Sequence, residues 1–159
     1  MKKSFRTLAT SALAAVAVLA LTASSFAAAP RVIKLTATED MRYSTTRIEV
    51  TAGESIKIQL TAKGSQPKDA MAHNFVLLAP GVDMGTFVTQ ATMARAAGYI
   101  PAAFKAKILA MTKLAGAGET VEVTFNAPAA PGSYPYVCTF PAHYVGGMKG
   151  TLVVKAAAK

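Results

Sequence analysis

The stretch Cys138-Thr139-Phe140-Pro141-Ala142-His143-Tyr144-Val145-Gly146-Gly147-Met148 holds the only cysteine of the chain, one of its two histidines and a methionine. Thiolate, imidazole and thioether on one short loop are the ligand types of a soft copper site. Such a site normally takes a second imidazole from elsewhere, and the chain has one left to give: His73, in Met71-Ala72-His73-Asn74-Phe75-Val76-Leu77-Leu78. Cu(I) favours sulfur and few ligands, whereas Cu(II) favours nitrogen and more of them. Two imidazoles, one thiolate and a weak axial thioether suit both states. Taken singly, each residue has a blander explanation. A lone cysteine is usually a small buried hydrophobe and a lone methionine fills gaps in a core. The combination Cys-x4-His-x4-Met with a second histidine upstream points to one copper ion.

These donors lie far apart in sequence, so a stiff scaffold must bring them together. The pattern along the chain is of short strands. Ser55 to Thr61 sets Ile56, Ile58 and Leu60 on one face against Lys57 and Gln59 on the other, the period of a half-buried strand. Thr120 to Asn126 alternates in the same way. Further strands are expected over 31–38, 47–51, 73–78, 108–114, 133–138 and 150–155, separated by Gly- and Pro-containing turns. Between Gly85 and Gly98 the apolar spacing becomes helical, which predicts a short helix over Thr86 to Ala97. About eight short strands with one helical insertion predict an all-β fold, a Greek-key β-sandwich. The strands before and after the Cys138–Met148 loop are expected to be neighbours. Pro141 would stiffen that loop, and Gly146-Gly147 would let it turn back before Met148.

The first residues belong to another kind of segment. Lys2, Lys3 and Arg6 precede a run of Ala, Leu and Val from Leu8 to Leu21, followed by small residues around Ala27 and Ala29. This is the three-part pattern of a cleaved secretory signal peptide over 1–27, with cleavage after Ala27 or Ala29. The apolar run is shorter than the ~20 residues of a membrane span, and no cysteine stands near the cleavage site to take a lipid. The remainder, 28–159, is expected to be a single domain, periplasmic, monomeric and without a membrane span. Its one cysteine in an oxidising compartment is expected to be metal-bound or reactive.

Loss of Lys2, Lys3 and Arg6 takes the formal charge from +9 to +6. The remaining cations are scattered, which argues against nucleic-acid binding and for a role in encounter with acidic redox partners. Glu39, Asp40, Asp69 and Asp83 show no spacing suited to acid–base catalysis and read as solvated surface. A copper chaperone or storage protein is the alternative; its sites are usually open and Met-rich, whereas here the methionines are dispersed. A thiol enzyme built on Cys138 and His143 would lack an orienting acid and leave Met148 idle, so no enzyme activity is expected.

The chain resembles cupredoxins of the azurin and auracyanin group. Met71-Ala72-His73-Asn74-Phe75-Val76-Leu77 is similar to that group's upstream ligand segment. Cys138 to His143 with Met148-Lys149-Gly150-Thr151-Leu152 is similar to its ligand loop and last strand, and Thr112 to Glu119 also looks like an azurin segment. The resemblance implies a cupredoxin-like sandwich with a type 1 blue copper site, a carrier of single electrons. It implies His73, Cys138 and His143 as the strong ligands, Met148 as the weak axial ligand, and the Ala72 carbonyl on the opposite axial side. Asn74 would bond towards the cysteine loop and hold the two ligand segments together, Thr139 and Phe140 would lie just outside the ligands, and the Phe140 amide would donate to the Cys138 sulfur. His143 would be the exposed edge through which electrons pass. Met41, Met71, Ala72, Pro141, Ala142, Tyr144 and Val145 would form an apolar docking patch around it. The implied partners are c-type cytochromes or copper and haem reductases and oxidases. The chain departs from azurins in three ways: four residues rather than three between His143 and Met148, as in auracyanin; Ala72 where azurins have glycine; and one cysteine, which cannot form the azurin disulfide.

Overall fold

A computed structural model describes residues 29–158; the signal segment expected over 1–27 lies outside them. Among the described residues nine strands form two sheets. The first has the order β2-β1-β4-β7, from β1 (Arg31–Thr38), β2 (Arg42–Tyr43), β4 (Ser55–Ala62) and β7 (Thr120–Asn126). The second has the order β3-β9-β8-β5-β6, from β3 (Arg47–Thr51), β5 (Val76–Leu78), β6 (Ile108–Met111), β8 (Gly132–Val137) and β9 (Lys149–Lys155). In each sheet one pair is parallel, β1 with β4 and β3 with β9, and the other pairs are antiparallel.

The alternation of β4 has the expected result. Ile56, Ile58, Leu60 and Ala62 point inward and are buried, while the residues between them are partly exposed. Ile56, Ile58 and Leu60 join Leu35 of the same sheet, Ile48, Val50, Leu77, Tyr136 and Leu152 of the other, and Phe75 just before β5 in one core. Removing such side chains from water is worth about 1.5–3 kcal/mol each, and this supplies the rigidity that a site built from distant segments needs.

Strand β5 is buried at all three positions. Leu77 faces the main core, whereas Val76 and Leu78 pack with Phe87, Ile100 and Val137 in a second cluster. That cluster exists because helix α1 (Met84–Met93) covers the second sheet through Phe87. A strand covered on both faces loses its polar alternation.

Several boundaries differ from the sequence expectation. The strand expected over 73–78 begins only at Val76; His73 makes an isolated bridge to Ala115 instead. The strand expected over 108–114 stops at Met111, and β2 is an additional two-residue strand. The helix expected over 86–97 starts at Met84 and ends at Met93, where a separate 3₁₀ turn follows at Arg95–Ala97; a second lies at Ala102–Lys107. The helix starts early because Asp83 caps it, its Oδ1 accepting the Thr86 amide at 2.6 Å. Asp83 is therefore a cap. Glu39 is also more than solvated surface: its Oε1 accepts the amides of Ser65 (2.6 Å) and Gln66 (2.8 Å) and so anchors the loop that leads to His73.

Candidate metal centre

Two segments meet at one end of the sandwich. In the first, the His73 amide donates to the Ala115 carbonyl (2.9 Å) and the Ala115 amide donates back to the His73 carbonyl (2.7 Å). Two backbone hydrogen bonds thus fix His73 although it is outside any named strand. The second segment is the loop between β8 and β9, neighbours in antiparallel register from Gly132↔Val154 to Val137↔Lys149. Cys138 stands one residue beyond β8, and its amide donates to the Met148 carbonyl at 3.1 Å. Inside the loop the His143 amide donates to Phe140 O (3.1 Å), Gly146 to Ala142 O (2.8 Å) and Met148 to His143 O (2.8 Å). The loop is a run of backbone-bonded turns, and Ala142 takes a left-handed φ of 68° within it.

Asn74 joins the two segments. Its Nδ2 donates to Thr139 Oγ1 at 2.7 Å and its Oδ1 accepts the Thr139 amide at 2.9 Å. All four atoms are in the interior, where a reciprocal pair of this kind is costly to break. The Asn74 carbonyl in turn accepts the Tyr43 hydroxyl, which ties the site to the opposite sheet.

His73, Cys138 and His143 converge as expected. All three are buried, and one donor atom from each lies within 4.8 Å of the others. Cys138 Sγ is 3.3 Å from His143 Nδ1. The two imidazole centroids are 4.8 Å apart. The Ala72 carbonyl oxygen lies 4.0 Å from the Cys138 sulfur.

Burial sets the proton chemistry. It pushes the Cys138 thiol up to about 12, opposed in part by the amides of Asn74 and Phe140, which donate towards the sulfur. The Phe140 amide was expected there; the Asn74 amide was not, because nothing in sequence spacing reveals a contact made across the sandwich. Burial lowers His143 to about 4, aided by the neighbouring His73. It also lowers His73, against a smaller opposing effect of Glu39. Both imidazoles are therefore neutral at pH 7, the form that binds metal.

The donor set fits a copper ion. His73 Nδ1 is buried and, among the described residues, has no hydrogen-bond partner. An unpaired buried nitrogen costs on the order of 1–3 kcal/mol, and a metal ion between the three donors would satisfy it. Nitrogen and sulfur sit about 2.0–2.3 Å from a first-row ion, so trigonal donors stand roughly 3.6 Å apart. The Cys138 Sγ–His143 Nδ1 separation of 3.3 Å is close to that value, and no donor pair is farther apart than 4.8 Å.

Met148 is fully buried in the main core cluster that also holds Cys138, Ala72 and Phe140. The expected surface around the site is reduced in two respects. His143 is only 2 % exposed, so it is not an open edge. Phe140 packs beside it with the rings tilted, centroids 4.9 Å apart. Ala72 is wholly buried and cannot contribute to a docking patch. Ala142 and Val145 are exposed, Val145 at 84 %. Met41, Met71, Pro141 and Tyr144 are half-buried. Tyr144 packs towards α1 and carries the Lys149 ammonium 4.6 Å above its ring.

Two buried imidazoles and a buried thiol at one end of a two-sheet sandwich define a cupredoxin with a type 1 copper site. Comparison with known proteins agrees. Residues 31–155 match the family of copper binding proteins described as plastocyanin/azurin. The chain is 36 % identical over 119 residues to auracyanin-B of Chloroflexus aurantiacus, covering 74 % of this chain and 49 % of that one, so it spans about half the length of that relative. It is 33 % identical over 126 residues to an azurin of Pseudomonas fluorescens biotype A, covering 77 % and 97 %. The solved structure of auracyanin A from Chloroflexus aurantiacus, a "blue" copper protein, superposes with a TM-score of 0.68 at 34 % identity, covering 80 % of this chain and all of that one. The chain belongs to the plastocyanin/azurin family of copper-binding proteins.

Proposed function

We propose that this protein carries single electrons between redox partners in the periplasm, using one copper ion that His73, Cys138 and His143 would hold, with Met148 and the Ala72 carbonyl as further, weaker donors. The observation that carries the reading is the convergence of three buried donors with one imidazole nitrogen left unpaired. When bound, copper supplies the one-electron Cu(I)/Cu(II) couple.

The rest of the work falls to the chain. The Asn74–Thr139 link and the His73–Ala115 bridge hold the donors in place whichever charge the site carries, so little has to move when an electron arrives. The Asn74 and Phe140 amides direct positive dipole at the thiolate sulfur and stabilise its charge. Burial keeps water from the donors. The exposed Ala142 and Val145 beside His143 offer a small apolar contact, suited to brief redox encounters. Partners of the kind expected are c-type cytochromes or copper and haem reductases and oxidases. Export to the periplasm rests on the pattern of residues 1–27.

Adding Cu(II) to purified metal-free protein is expected to produce an intense thiolate-to-copper band at about 600 nm and a reversible one-electron wave in voltammetry. Copper that binds without the band, or is lost on reduction, would exclude the carrier and favour a metal-trafficking role.

A further inference from the structure

The turn between β1 and β2 reaches across to the ligand loop. Met41 sits at its tip with a left-handed φ of 57°, a conformation ordinarily left to glycine. Its amide donates to Thr38 O at 3.0 Å, which closes the turn. Strain of this kind persists only where the surroundings hold it. Here the surroundings are the bend before Met148. The Arg42 guanidinium donates through Nη1 to the Gly146 carbonyl and to the Met41 carbonyl (3.2 Å).

Both glycines of the bend are shaped by this contact. A Cβ on Gly146 would lie 2.8 Å from Met41 Sδ and 2.9 Å from its Cε. A Cβ on Gly147 would lie 2.5 Å from Arg42 Nη1. Gly147 also has a φ of 103°, but Gly146 needs no left-handed φ. Its lack of a side chain is explained by the turn lying against it. Gly146 is three residues past His143 and two before Met148. The Met148 amide is bonded to the His143 carbonyl, so a shift of the 146–147 peptide is carried directly to the methionine.

Arg42 makes no ion pair among the described residues. Its charge is therefore uncompensated beside the loop. Positive charge there disfavours the more highly charged, oxidised state of a metal site.

We propose that Met41 and Arg42 are positioning residues for the copper site: the turn straps the Gly146-Gly147 bend, sets the approach of Met148, and through the guanidinium raises the reduction potential. This rests on the copper reading above. The test compares copper-loaded wild type with R42Q, R42K and G146A by voltammetry and visible spectroscopy. R42Q keeps a donor but no charge, and is expected to lower the potential and change the relative intensity of the thiolate bands. R42K is expected to restore most of the potential. G146A displaces Met41 without altering charge, and is expected to change the band intensities. Wild-type potential and spectrum in both R42Q and G146A would overturn the proposal. A wild-type protein that forms no band at about 600 nm would instead overturn the copper reading, and this inference with it.

Discussion

At the scale of the residue, the site is a balance between burial and charge. Cys138 holds its proton up to about 12 in the metal-free protein, whereas His143 and His73 are already neutral at pH 7. A thiolate is the binding form of cysteine. Copper uptake at pH 7 should therefore release about one proton per ion, from the sulfur alone. Calorimetry in buffers of different ionisation enthalpy would measure this; two or more protons would mean that an imidazole starts protonated. The histidines also give the metal-free protein an acid window. His143 falls from its ordinary 6.5 to about 4 on folding. Between those values the unfolded chain binds a proton that the folded chain refuses, so unfolding becomes easier as the pH drops. Stability from this group is complete above about 6.5 and lost by about 4, with His73 acting in the same direction. The urea midpoint of metal-free protein should fall across that range, and the fall should shrink in H143Q.

The donors were legible from residue type because so few are present: one cysteine and two histidines leave little choice. Their surroundings were not. The near-closure of His143 depends on Phe140 folding back against it, and no local pattern announces that.

At the scale of the element, β4 and β7 were readable because in each a drier face alternates with a wetter one. Strand β5 was harder, since α1 dries its second face. Strand β2 has only two residues and cannot display a period. The His73 segment needed no strand, because Ala115 supplies the same pair of hydrogen bonds. What joins that segment to the loop is Asn74. Replacing it by leucine would leave Thr139 with a buried amide and hydroxyl unpaired, at about 1–3 kcal/mol each. N74L should lower stability by roughly 2–5 kcal/mol and speed the loss of copper to a chelator. Chemical denaturation and release kinetics would check both; wild-type release with lowered stability would show that the link serves the fold alone.

At the scale of the whole molecule, the cations outnumber the acids and many acids are already engaged. Glu49, Glu54, Glu119 and Glu122 each meet a lysine or arginine in surface ion pairs, Glu39 holds a loop and Asp83 caps α1. The excess charge is thus left facing solvent. Electron exchange with an acidic redox protein should slow as salt is raised from about 0.01 to 0.15 M, where the Debye length shrinks from about 30 to 8 Å. Stopped-flow rates would test this, and a rate that rises with salt would assign the partner a basic face.

Strand order has one more effect, on timing. β9 lies between β3 and β8, and its pairing with β3 links residues 47–51 to 151–155. A polypeptide delivered from its amino end must wait for its final strand before the second sheet can close. Until then the loop from Cys138 to Met148 is anchored by β8 alone. Metal capture is therefore expected to follow the pairing of the last strand, which fixes the Met148 end of the loop.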